Sequence, residues 1–143
     1  MVVVTFCGHS AINETDGFSR WLASILPSVI EGGASTFYLG GYGAFDALAA
    51  KAVRQQKATY PHIEMVLVLA YLNREIDASG YDGTTYPPLE KVPRRYAIVR
   101  RNEWMVSASD LIISGVTHSW GGAAKTLEFA QKKRKVILQY PSR

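Results

Sequence analysis

The chain has 143 residues, 48% of them hydrophobic, which suits one domain with a buried core and excludes a disordered chain. Its formal charge of +4 favours an anionic ligand but is too mild to indicate nucleic acid by itself. No apolar run reaches the ~18–20 residues of a membrane span, and one cysteine, Cys7, excludes an intramolecular disulfide and fits a cytoplasmic protein.

Val2-Val3-Val4-Thr5-Phe6 is a continuous, largely β-branched run, the pattern of a strand covered on both faces. With Cys7 it is too short, and lacks the cationic flank, for a signal peptide. It ends at Gly8-His9-Ser10. Phe18, Leu22, Ile25 and Val29 then mark an amphipathic helix, which Pro27 is expected to kink or break and Gly32-Gly33 to end. Thr36 to Leu39 is the second strand, and Gly40-Gly41-Tyr42-Gly43 a glycine-rich turn. Phe45, Leu48, Ala49, Ala52 and Val53 recur with helical period until Tyr60-Pro61, and Ile63 to Tyr71 is the third strand. Residues 72–93 have no clear period and are read as a loop, either a functional lid or a docking segment. Tyr71, Tyr81 and Tyr86 on its arms either stack on a base or simply pack. Arg94 to Ala108 is a helix, Asp110 starts the fourth strand, Ala123 to Lys133 is the last helix and Val136 to Leu138 the last strand. Lys132-Lys133-Arg134-Lys135 reads as a solvated helix end.

This alternation predicts an α/β fold: a Rossmann-like, doubly wound, mostly parallel sheet with helices on both faces. With no internal repeat or linker, residues 1–143 read as a single domain. Ligands of such sheets sit beyond the carboxyl ends of the strands, where strand order reverses. That rule gathers Gly8–Ser10, Gly40–Asp46, Tyr71–Arg74 and Thr117–Glu128 at one edge. If the first and fourth strands are neighbours, His9 and His118 meet there.

The stretch Ser119 to Glu128 carries the chemistry. Gly121 and Gly122, between a strand and a helix, let the backbone approach a ligand and leave the first helical N–H groups for an anion. Ala123 shares that first turn, and Lys125 and Thr126 add a cation and a hydroxyl. Glu128 is either an exposed carboxylate pairing Lys125 or Lys132, or a contact to a sugar or a water. Ile98, Arg101 or Asn102, Met105 and Ala108 fall on one apolar stripe, where a guanidinium needs a partner: a ligand phosphate, Glu128, the neighbours of Glu103 or a backbone carbonyl. Asp46 either complements its helix N-terminus or bonds a ribose. Tyr42 is the better candidate to flank a base, since Phe45 fits the core. Trp120 is either a stacking surface or an interface anchor. The histidines and the lone cysteine make no metal set, and no cofactor is expected.

Gly121-Gly122 followed by Glu128 resembles the Pro-Gly-Gly-x-Gly-Thr-x-x-Glu motif of LOG-type phosphoribohydrolases, and Arg101 with Met105 resembles their Arg-Lys-x-x-Met helix. Arg101-Asn102 and Gly40 to Asp46 resemble DprA motifs. The whole chain is similar to the SLOG superfamily, as a small member near its YpsA-like branch. Trp120 stands where the motif has proline, Ala124 where it has glycine, Lys125 where it has threonine, Asn102 where it has lysine and Gly43 where DprA has arginine. The resemblance implies a site for a nucleotide or an ADP-ribose-like derivative. Its expected residues are Gly8, His9, Ser10, Gly40, Gly41, Tyr42, Asp46, Arg101, Asn102, His118, Trp120, Gly121, Gly122, Ala123, Lys125, Thr126 and Glu128. Three functions follow: sequestering or sensing such a ligand, hydrolysing its N-glycosidic bond with Glu128 and Arg101, or DprA-like binding of single-stranded DNA. A nucleotide-like small molecule is the expected partner, with a homodimer and without nucleic acid or membrane.

Overall fold

A computed structural model describes residues 2–72 and 77–141. The β-branched start of the chain forms β1 (Val2–Gly8), and α1 (Thr15–Glu31) follows it. Then come β2 (Ala34–Leu39), α2 (Ala44–Gln56), β3 (Glu64–Val68), β4 (Gly83–Thr85), α3 (Ala97–Ala108), β5 (Leu111–Gly115), α4 (Gly122–Lys132) and β6 (Val136–Gln139). The sheet order is β4-β3-β2-β1-β5-β6, and every pairing is parallel. The chain first grows outward from β1 through β2 to β3 and β4, then crosses back to place β5 on the other side of β1. The reversal therefore falls at the β1–β5 pair, where Gly8 lies opposite Gly115.

Alternation along the strands divides the apolar residues between two faces. Val4 and Phe6 of β1 and Ile113 of β5 join Leu22, Leu26, Phe45 and Val53 of α1 and α2 in one cluster. Cys7 and Ile112 join Val106 of α3 and Ala124 and Ala130 of α4 in the other. The register is fixed at its start by a reciprocal pair. Val3 donates its N–H to Asp110 Oδ2 at 2.8 Å, and the Asp110 N–H donates to the Val3 carbonyl at 2.7 Å.

Four expectations change. Helix α1 runs through Pro27 without a break. The carbonyl that Pro27 leaves without a helical donor belongs to Ala23, an exposed residue, so water can serve it. The third strand ends at Val68 rather than Tyr71, because Arg101 takes the Val68 and Gly40 carbonyls beyond the end of the ladder. Residues 72–93 are not loop throughout, since they contain β4. Its Gly-Thr-Thr sequence carries no apolar signal. It is held instead by Asp82, which accepts the Met65 N–H at 2.7 Å and pairs with Lys57. The third helix is preceded by a 3₁₀ turn, Arg94–Tyr96, rather than being helical from Arg94.

The basic run ends α4 in a Schellman arrangement: Lys135 N–H donates to the Ala130 carbonyl and Arg134 N–H to that of Gln131. Arg134 sits at the left-handed position with φ 57°. Lys135 is not simply solvated, for its ammonium bonds the Ser107 and Ser109 carbonyls beyond α3.

The Phe45 ring lies across the paired glycines of β1 and β5. A Cβ built on Gly8 would come within 2.2 Å of that ring, and one on Gly115 within 2.3 Å. The ring is 1% exposed and flanked edge-on by Phe18. Gly115→Ala is therefore expected to lower stability by about 1–3 kcal/mol through overpacking, read as a fall in the urea midpoint at unchanged m-value. Gly115→Ala combined with Phe45→Leu should recover part of that loss.

Candidate functional site

The carboxyl end of β1, the turns after β1, β2 and β5, and one side of α3 enclose a cavity of about 380 Å³. Of the expected residues, Gly8, His9, Ser10, Gly40, Tyr42, Asp46, Arg101, Asn102, His118, Trp120, Gly121, Gly122, Ala123 and Thr126 line it. Gly41, Lys125 and Glu128 do not. Gly41 lies in the turn next to Leu67, while Lys125 and Glu128 are exposed on α4. Of the expected segment Tyr71–Arg74, residues 73 and 74 lie outside the described residues. Tyr71 does not line the cavity; its hydroxyl donates to the Arg94 carbonyl, and its ring lies under the Arg94 guanidinium. Reading the sequence did not place Thr5, Cys7, Ile98 and Val106 on the wall. The spacing of Ile98, Arg101 and Met105 was the available signal for the α3 side.

The two turns facing the cavity share one backbone shape and differ in how they are capped. Gly43 precedes α2 with φ 93° and ψ 167°, and Gly121 precedes α4 with φ 93° and ψ 176°. At α2 the leading N–H groups are already used: Ala44 donates to the Ser10 carbonyl and Phe45 to that of His9. At α4 the N–H groups of Gly122, Ala123 and Ala124 have no acceptor among the described residues, and no side chain caps the helix. The Thr126 hydroxyl turns inward to the Gly122 carbonyl. A Cβ on Gly122 would meet nothing within 4 Å, and its φ is not positive. Neither packing nor backbone conformation thus requires glycine there, and its bare backbone opens onto the cavity.

Arg101 is 5% exposed, yet its charge is well accommodated. Its Nη1 donates to the Gly40 carbonyl at 2.9 Å and the Val68 carbonyl at 3.1 Å, and its Nε donates to Asn102 Oδ1 at 2.9 Å. Nη2 has no hydrogen-bond partner among the described residues. Gly40 is what lets the guanidinium close on the turn, for a Cβ there would lie 3.0 Å from Cζ. Burial pulls this guanidinium down from its ordinary value, and Asp46 opposes the shift.

Asp46 Oδ2 accepts the N–H groups of Gly41 and Tyr42, so the carboxylate holds the turn after β2 in shape. Burial pushes its carboxyl up from the usual carboxylate range, against the pull of the Gly41 N–H, Arg101 and the Tyr42 and Gly40 N–H groups. It is the only carboxylate among the described residues that lines the cavity. Cys7 is buried beside Ser114, and desolvation pushes its thiol up to about 11, so it stays protonated at neutral pH. No group of three or more metal-ligating side chains occurs among the described residues.

His9 and His118 do meet, as adjacency of the first and fourth predicted strands implied. Their rings stack at 3.5 Å and 14°, and the His118 ring in turn stacks on Trp120 at 3.8 Å and 20°. His9 Nε2 accepts the N–H of Thr117 at 3.0 Å and that of His118 at 3.4 Å, which fixes the start of the turn after β5. That geometry requires the neutral ring. Burial, then the nearby His118, holds the His9 pKa below its ordinary value. His118 Nδ1 is buried without a partner among the described residues. Tyr42 and Trp120 are 68% and 69% exposed on two turns of the wall, whereas Phe45 is core. Trp104 packs on Tyr38.

No protein-family profile and no curated protein sequence matches the chain. Solved structures do. The chain superposes on DNA processing protein A (DprA) of Streptococcus pneumoniae with TM-score 0.72 at 15% identity, covering 100% of this chain and 51% of that one. For Helicobacter pylori DprA, described as binding single-stranded DNA, the values are 0.67 and 16%, covering 99% and 66%. For the molybdenum cofactor binding protein of Rippkaea orientalis they are 0.64 and 18%, covering 96% and 75%. The chain thus spans less than two thirds of either DprA. The SLOG resemblance holds at the level of fold: an all-parallel Rossmann-like sheet shared with these proteins. One expectation is corrected. Nucleic acid was set aside as a partner on the mild net charge, but a protein of this same fold binds single-stranded DNA, so net charge does not exclude it.

A histidine kept neutral by the fold gives a definite pH dependence. Above pH ~6.5, the ordinary histidine pKa, His9 is neutral whether the chain is folded or not. Below it, the unfolded chain takes up a proton that the folded one refuses, so stability falls as pH drops from ~6.5 towards the lower folded value. His9→Gln retains an acceptor but does not titrate. In urea unfolding between pH 7.5 and 5.5, the wild type should lose stability relative to His9→Gln as the pH is lowered; a constant difference would contradict the neutral ring.

Proposed function

We propose that this protein binds a nucleotide-derived small molecule in the crevice at the β1–β5 switch point and holds it without chemical change, as a sensor or sequestering protein. The observation that carries this reading is the open start of α4. Among the described residues, three successive N–H groups lack acceptors, beside a glycine whose missing side chain neither packing nor φ requires. Such an end attracts an anion through its free donors and the helix dipole. Arg101 adds a fixed positive charge and an unused Nη2 to the same cavity. A fold neighbour that is a molybdenum cofactor binding protein supports a small-molecule ligand on this fold.

Holding the ligand fits better than hydrolysing it because of the carboxylates. Glu128, the residue a LOG-like hydrolase would use, is exposed and off the cavity wall. Asp46 lines the cavity but has one oxygen committed to two backbone N–H groups. The direct test is to incubate excess protein with AMP, NAD, ADP-ribose and cyclic ADP-ribose, filter, and analyse both the filtrate and the ligand released by denaturation. Intact ligand recovered from the protein supports the reading, and free base with sugar phosphate overturns it in favour of hydrolysis.

A second reading is single-stranded nucleic acid, favoured by the exposed Arg94, Arg95 and Arg100 beside the α3 wall of the cavity and by the DprA fold. Binding of a fluorescent oligonucleotide that weakens steeply with added salt would support it.

The glycines separate binding from folding. Gly122→Ala suits the helical backbone and should raise stability by up to about 1 kcal/mol, while projecting a methyl into the anion site and weakening ligand binding. Gly121→Ala must adopt φ 93° and should destabilise instead. Thermal melts with and without ligand read both effects.

A further inference from the structure

We infer that Trp120 is the platform on which the ligand's planar ring lies, so that the crevice takes a nucleoside 5′-phosphate unit rather than a bare sugar phosphate. This rests on the anion site proposed above and adds a second point of recognition to it.

Trp120 ends a column of three near-parallel rings, His9, His118 and Trp120. The column is anchored at its buried end, where His9 is 7% exposed and receives the Thr117 and His118 N–H groups. At the other end, one face of the indole is covered by His118, and no other ring among the described residues stacks on it. An indole 69% exposed on the cavity wall gains little from burial where it stands. It does present a flat surface held in place by the rings behind it, so a fourth ring can be added at small ordering cost.

The spacing suits a nucleotide. Trp120 is two residues before Gly122, the first unoccupied N–H donor, and two residues of chain span at most about 7 Å. A single pentose bridges a base and its 5′-phosphate over a distance of that order. Tyr42, exposed on the turn after β2, lines the same cavity and supplies another aromatic edge.

The test compares ligands that differ only in the ring. AMP and ribose 5-phosphate are titrated by calorimetry into the wild type and Trp120→Ala. In parallel, Trp21→Phe/Trp104→Phe protein, whose only tryptophan is Trp120, is followed by fluorescence. The wild type should bind AMP about tenfold to a hundredfold tighter than ribose 5-phosphate, the range that base stacking supplies. AMP, and not ribose 5-phosphate, should quench Trp120. Trp120→Ala should bring AMP down to the affinity of ribose 5-phosphate and leave the latter unchanged. Equal binding of both by the wild type, or an equal loss of both in Trp120→Ala, overturns the platform and leaves the anion site standing. Failure of the wild type to bind either overturns both.

Discussion

The architecture depends on one steric fit: the ring of Phe45 lying where two glycines meet across the central strands. Gly8 and Gly115 are opposite each other in register, and a side chain on either would occupy the space of the ring. With the ring seated, the first turn of α2 is drawn against the end of β1. Only then can the His9 and Ser10 carbonyls receive the Phe45 and Ala44 N–H groups. The same placement sets Asp46, one residue on, beneath the turn it shapes, and leaves His9 free to hold the turn after β5. Core packing and site geometry are thus two sides of one residue's position.

The two glycine-started helices then stand as a matched pair with different fates. Their cap residues have the same φ and nearly the same ψ. One helix start is closed by the protein's own carbonyls, which show what acceptor the geometry takes. The other has no acceptor among the described residues and faces the cavity that Arg101 also lines. The closed helix start is therefore an example, within the protein, of the interaction that the proposed anion site would make. The remaining polar groups of the wall are mostly occupied. Arg101 is tied to two carbonyls at the ends of β2 and β3, Asp46 to a turn and Thr126 to its own helix, which holds the wall in one geometry.

Much of this was legible in the sequence, for a physical reason. Buried parallel strands must be continuous apolar runs, and Val2 to Phe6 and Leu111 to Val116 are such runs. The glycines that follow them locate the turns, and the topology of short right-handed crossovers does the rest. That was enough to bring His9 to His118. Less legible were features set by backbone groups, which the sequence does not display. Arg101 pairs with backbone carbonyls, one of the partners open to it, but that these belong to Gly40 and Val68, 61 and 33 residues away, was not legible. The strand β4 is held by Asp82 rather than by apolar side chains. Of the two readings of Glu128, the exposed carboxylate holds, because α4 buries Ala124, Thr126 and Ala130 instead.

The central position of β1 has a consequence in time. It is made before the other strands of its sheet, yet its neighbour on one side, β5, lies more than a hundred residues later, as the Val3–Asp110 latch spans a separation of 107. At ~5–20 residues per second of synthesis, that edge waits on the order of 5–20 s for its partner. During this interval a short, uncharged, β-branched segment without proline has one row of backbone donors and acceptors unpaired, the combination that recruits foreign strands. The arrangement that buries β1 most completely in the finished protein leaves the nascent chain most dependent on protection until residue 115 has emerged.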